Sequence, residues 1–74
     1  MVKFVFHAPD GRTGIGRGSW QAIRDCLGPA ANELPAMRHP QWEYLPRNDS
    51  GIVRRAVVEL ADGSIIGRLE ELES

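Results

Sequence analysis

The chain has 74 residues. A chain of that size buries only about 60% of its unfolded surface, enough for one sheet and one helix in a single domain over 1–74. Lys and Arg number 9 against 10 Asp and Glu, a net charge of −1, so no overall field draws the chain to nucleic acid or an anionic membrane. The single Cys26 excludes an internal disulfide, and no apolar run reaches the length of a membrane span; a cytoplasmic protein is expected.

Val2-Lys3-Phe4-Val5-Phe6-His7-Ala8 alternates as a strand, with Val2, Phe4, Phe6 and Ala8 on one face. Pro9-Asp10-Gly11 is a three-residue turn, and Thr13 to Gly18 returns as a second strand. Ser19 is the expected N-cap of a helix carrying Trp20, Ile23 and Leu27 on one stripe, and Gly28-Pro29 ends it. Three prolines between 29 and 40 leave space for no more than a short turn over Ala30–Leu34. Gln41 to Leu45, between two prolines, predicts an edge strand with Trp42 and Tyr44 on one side. Ile52 to Ala61 and Ser64 to Glu71 predict a hairpin around a two-residue Asp62-Gly63 loop. The order is ββαβββ, an α+β domain with one short helix on an antiparallel or mixed sheet.

The two hairpins share a pattern: Asp10-Gly11 leads to Ile15-Gly16-Arg17, and Asp62-Gly63 leads to Ile66-Gly67-Arg68. In the first, the three-residue loop pairs Phe6 with Gly14, Phe4 with Gly16 and Val2 with Gly18; a two-residue Asp10-Gly11 loop would instead turn the glycines outward beside Lys3, Val5 and His7, and Pro9 favours the former. In the second, the loop pairs Leu60 with Ile65, Val58 with Gly67 and Ala56 with Leu69. It also brings Val57 to Arg68, Arg55 to Glu70, Val53 to Leu72 and Arg54 to Glu71. Apolar partners and opposite charges agree on these registers. Both place the glycine of Ile-Gly-Arg inward, where the missing side chain leaves room for the helix.

The segment Asp10–Trp20, "DGRTGIGRGSW", also invites a phosphate-loop interpretation. A Walker loop needs lysine and a hydroxyl after its second glycine, and Arg17-Gly18-Ser19 follows Gly16 here. A dinucleotide fingerprint needs G-x-G-x-x-G, and the spacing is Gly14-x-Gly16-x-Gly18. His7, His39 and Cys26 lack the paired spacing of a zinc site, so no metal and no cofactor is expected. Nothing arranges Ser19, a histidine and an acid into a triad with an oxyanion hole, so no enzymatic activity is expected.

Eight of the nine bases are arginine, a side chain suited to bidentate contacts with carboxylates and phosphates. The chosen registers turn Val5, Ile15, Val53, Val57, Ile66 and Leu72 outward among Arg17, Arg55 and Arg68. Apolar area ringed by arginine is typical of interfaces, unless the Ala30–Pro40 segment or a second subunit covers it. The expected function is a protein-binding module, a regulator or inhibitor of a larger assembly, contacting a protein partner or itself through Ile15, Arg17, Arg55, Ile66, Arg68 and Trp42. The alternative is RNA or DNA binding through Arg12, Arg17, Arg24, Arg54, Arg55 and Arg68. The hairpin–helix–strands order loosely resembles β-grasp folds such as ubiquitin, with a second strand richer in glycine.

Overall fold

The computed structural model describes residues 2–73. Strands β1 (Lys3–His7), β2 (Thr13–Gly16), β3 (Glu43–Tyr44), β4 (Ile52–Glu59) and β5 (Ile65–Leu72) and one helix, α1 (Ser19–Leu27), build an α+β domain. The sheet runs β2-β1-β5-β4-β3, and every neighbouring pair is antiparallel. Pairing of β1 with β5 joins the two hairpins edge to edge.

The first hairpin takes the expected register over Phe6–Gly14 and Phe4–Gly16. Its inward glycines are where α1 docks: a Cβ at Gly16 would come within 2.6 Å of Gln21 Cβ and 2.7 Å of the Ala22 nitrogen. Phe6, Ile23 and Leu69 are the largest fully buried side chains, joined in the core by Phe4, Ala8, Ala22 and Val58. Val2, expected on that face, is exposed because β1 begins at Lys3, beyond the last strand that could cover it.

Two details of α1 differ from expectation. Gly18, not Ser19, is the N-cap, because the extended chain of β2 runs straight into the helix, and no side chain caps it. The buried stripe is Ala22 and Ile23, with Cys26 and Leu27 half-buried beside them, while Trp20 remains 43% exposed. Close contact with bare glycine strand selects a small residue at position 22, and this rotates Trp20 outward. A 3-10 turn, Gly28–Glu33, follows with Pro29 at its start.

The second hairpin uses a different loop from the one expected. Leu60 donates its N–H to the Ser64 carbonyl at 2.8 Å and Gly63 donates to Leu60 at 2.9 Å. The first hairpin makes the same two bonds, from Ala8 to Arg12 at 2.9 Å and from Gly11 to Ala8 at 3.1 Å. Ala61-Asp62-Gly63 is therefore a three-residue loop like Pro9-Asp10-Gly11. The extra loop residue slips the first pair to Glu59–Ile65, and a bulge at Ile66 restores Val58–Gly67 and Ala56–Leu69. At the other end Ile52, not Val53, pairs with Leu72, across a second irregularity. Gly67, at φ +153, lies against Phe6, whose Cζ would be 2.5 Å from any Cβ there.

Both sheet edges are short or blocked. Two N–H groups on the free edge of β2, those of Ile15 and Arg17, donate to Asp25 Oδ2 and Gln21 Oε1, each at 3.0 Å. Strand β3 is two residues long, shorter than the five-residue run expected from sequence. Beyond it Met37 bridges to Leu60, with Arg38 donating to the Glu59 carbonyl at 2.8 Å. These devices limit edge-to-edge pairing with other chains.

Candidate functional site

The helix packs on the Phe4/Phe6 face, so the opposite face of the sheet is its outer surface. The Ala30–Pro40 segment does not cover that face. It continues the edge beside β4, with Ala31 buried and Met37 half-buried against the core. Register places one continuous row across the outer face: Ile15, Val5, Glu70, Arg55 and Glu43. The adjoining row is Thr13, His7, Arg68 and Val57. Ile15 and Val57 are 53% and 52% exposed, and Val5 between them is half-buried.

Side-chain contacts hold the acids on this face. His7 Nε2 meets Glu70 Oε1 at 2.6 Å, Arg55 Nε donates to Glu43 Oε1 at 2.9 Å, and Arg38 to Glu59 at 3.2 Å. Arg68 and Lys3 enter no ion pair among the described residues. Beside Arg68, an open depression of about 260 Å³ is lined by Gln41, Glu43, Arg55, Ala56, Val57 and Arg68. Asp10 and Asp62, in the hairpin loops, are held below the usual carboxylate range. For Asp10 the leading cause is the N–H bond from Arg12, and for Asp62 the hydroxyl of Ser64.

Of the six residues predicted to form a binding surface, the fold brings Ile15, Arg55 and Arg68 to the outer face. Arg17 lies just past the end of β2, in a concavity it shares with Trp20 and Arg24. Ile66 is not outward. The bulge turns it toward the core, where it packs half-buried, and Ile65 takes the exposed position at 61%. Trp42 belongs to the other face: its ring lies 6.0 Å from that of Phe4, beneath the guanidinium of Arg54 at 4.0 Å. Arg54 also donates to Glu71 Oε1 at 2.5 Å, with both side chains partly buried.

Sequence reasoning paired Arg54 with Glu71 but did not anticipate the arginine's stacking on Trp42. It also missed the His7–Glu70 contact. That contact depends on pairing β1 with β5, residues 63 apart in sequence, and no local pattern signals it. Among the described residues no three His, Cys, Asp or Glu side chains gather as a metal site requires. No described helix is long and apolar enough to cross a membrane. Compared with known proteins, the chain matches no family model, no curated protein and no solved structure, so the likeness to β-grasp folds rests on element order alone.

Proposed function

We propose that the chain is a non-enzymatic protein-binding module that engages its partner through the outer face of the sheet, acting as a small regulator or inhibitor of a larger assembly. The observation that carries this is the uncovered face itself. Ile15, Val5 and Val57 stay accessible on a rigid sheet while the opposite face holds the helix and the core. A flat patch of four strands at about 4.8 Å spacing offers roughly 400–500 Å², the small end of specific interfaces. Such an area suits transient association.

Nucleic-acid binding finds less support. Of the six arginines that would grip phosphates, Arg12 is paired with Asp10, Arg54 with Glu71 and Arg55 with Glu43. The remaining Arg17, Arg24 and Arg68 do not line one groove: Arg17 and Arg24 share a concavity with Trp20, and Arg68 lines another. The test is a photo-crosslinking residue in place of Val57, with a control in the loop at Asp49. A discrete protein adduct from position 57 and none from position 49, lost when Arg68→Glu is added, is the expected result. Equal labelling from both positions, or adducts to nucleic acid alone, overturns the proposal.

A further inference from the structure

Granted a protein partner on the outer face, we infer that the segment it docks is acidic, with an apolar side chain beside its carboxylates. The inference rests on the uncommitted charge. The three carboxylates of the outer face each have a side-chain partner already: Glu70 contacts His7, Glu43 pairs with Arg55 and Glu59 with Arg38. Among the described residues of this face the charged groups that enter no ion pair, Lys3 and Arg68, are both positive, although the chain as a whole carries −1. An incoming carboxylate therefore finds free donors, whereas an incoming cation finds acids that must first leave their partners.

Geometry adds the apolar requirement. Val57 is the direct cross-strand neighbour of Arg68, and Arg55 lies two residues along the same face. Both arginines line the depression over Val57. A guanidinium takes a carboxylate through two parallel hydrogen bonds, while the valine between them offers nothing polar. Arg68 is the free guanidinium, Arg55 being held by Glu43, so a leucine-sized side chain beside an aspartate or glutamate matches that pattern.

A second copy of the chain does not. Its own outer-face carboxylates, Glu43, Glu59 and Glu70, already have side-chain partners, and the face has an area below what stable dimers bury. Phosphate backbones would meet the same arginine but would bring no apolar group to the valine floor beside it.

The experiment measures fluorescence anisotropy of three labelled probes against the full chain. They are an alternating leucine–glutamate octapeptide, a leucine–lysine octapeptide and a 20-nucleotide oligo(dT). The acidic peptide should bind at least tenfold tighter than the basic one and more tightly than oligo(dT). Arg68→Glu should weaken it at least tenfold, and Val57→Ser at least threefold. Arg47→Glu, in the Arg47–Gly51 loop, should leave it unchanged. All three substitutions fall at exposed positions, and thermal melts followed by circular dichroism verify that the variants fold.

Equal or absent binding of the two peptides, preference for oligo(dT), or indifference to Arg68→Glu each overturns the inference. A position-57 crosslink to protein without preference for the acidic peptide would sink the acidic segment and leave the docking face standing. Failure of both experiments removes the face as well.

Discussion

Gly14 of β2 and Ala22 of α1 are in direct backbone contact: a Cβ on the glycine would overlap the carbonyl oxygen of Ala22 and come within 2.7 Å of Cys26 Cβ. This approach lets a nine-residue helix, too short to be stable alone, bury its small face on the sheet. It also makes β2 intolerant of side chains on one face and permissive on the other.

Gly16→Val should therefore destabilise the protein by about 1–3 kcal/mol, since the new side chain must displace α1. Gly14→Ala should cost at least as much, the close atoms there being backbone. Ile15→Thr, between them on the outer face, should stay within about 0.5 kcal/mol. Urea titrations of the three variants measure the difference.

Ile65 and Ile66 are neighbours with opposite environments. Ile66→Glu puts a carboxylate against the core and should destabilise by about 1–3 kcal/mol. Ile65→Glu, at the exposed position, should stay within about 0.5 kcal/mol. Thermal melts of both variants check where the bulge lies; the reverse ranking would return Ile66 to the outer face.

Arg54 connects Glu71 to Trp42. Removing it by Arg54→Met leaves a partly buried carboxylate without its cation, and should cost about 1–2 kcal/mol, between exposed and fully buried pairs. A double-mutant cycle with Glu71→Gln should recover part of that loss, because the unpaired charge is gone. Quenching of Trp42 fluorescence by acrylamide should rise in both Arg54 variants as the guanidinium no longer covers the ring.

Both hairpin loops should weaken in acid. Asp10 accepts the Arg12 N–H at 3.0 Å, and Asp62 accepts the Ser64 hydroxyl at 2.6 Å and its N–H at 2.9 Å, bonds that favour the ionised carboxylates and depress both pKa values below the usual 3.8. A carboxylate whose pKa is lowered by folding contributes stability that is fully present above its unfolded value. That contribution is lost as pH falls below about 3.8 through the lowered value. Protection of the Arg12 and Ser64 amides from exchange, taken against the intrinsic rate at each pH, should fall over that range, and the Asp10→Asn and Asp62→Asn variants should lack the step.

The element order and the first hairpin were legible in the chain because alternation and turn chemistry are local. Phe4 and Phe6 alternate, Pro9-Asp10-Gly11 sets the loop, and the glycines opposite follow by counting. In the second hairpin the sequence predicts a two-residue Asp62-Gly63 loop, and the chain instead uses Ala61-Asp62-Gly63. The choice fell to packing: Gly67 must sit over Phe6, and a bulge at Ile66 restores that contact after the longer loop. The outward placements of Ile15, Arg55, Val57 and Arg68 survived because the bulge lies at one end of the ladder, whereas Ile66 is in it and changed face.

Sequence by itself determined the ββαβββ order, the bare face of β2 and the opposite-charge pairs Arg54–Glu71 and Arg55–Glu70. Each is a matter of neighbours along one strand or across one hairpin. Only tertiary structure decided that β1 lies beside β5, that Trp42 packs against Phe4 on the core face rather than serving as an exposed anchor, and that the proline-rich segment runs along an edge. Those outcomes join residues far apart in the chain, where loop closure costs little more for one partner than another. The burial of whole faces then selects among them.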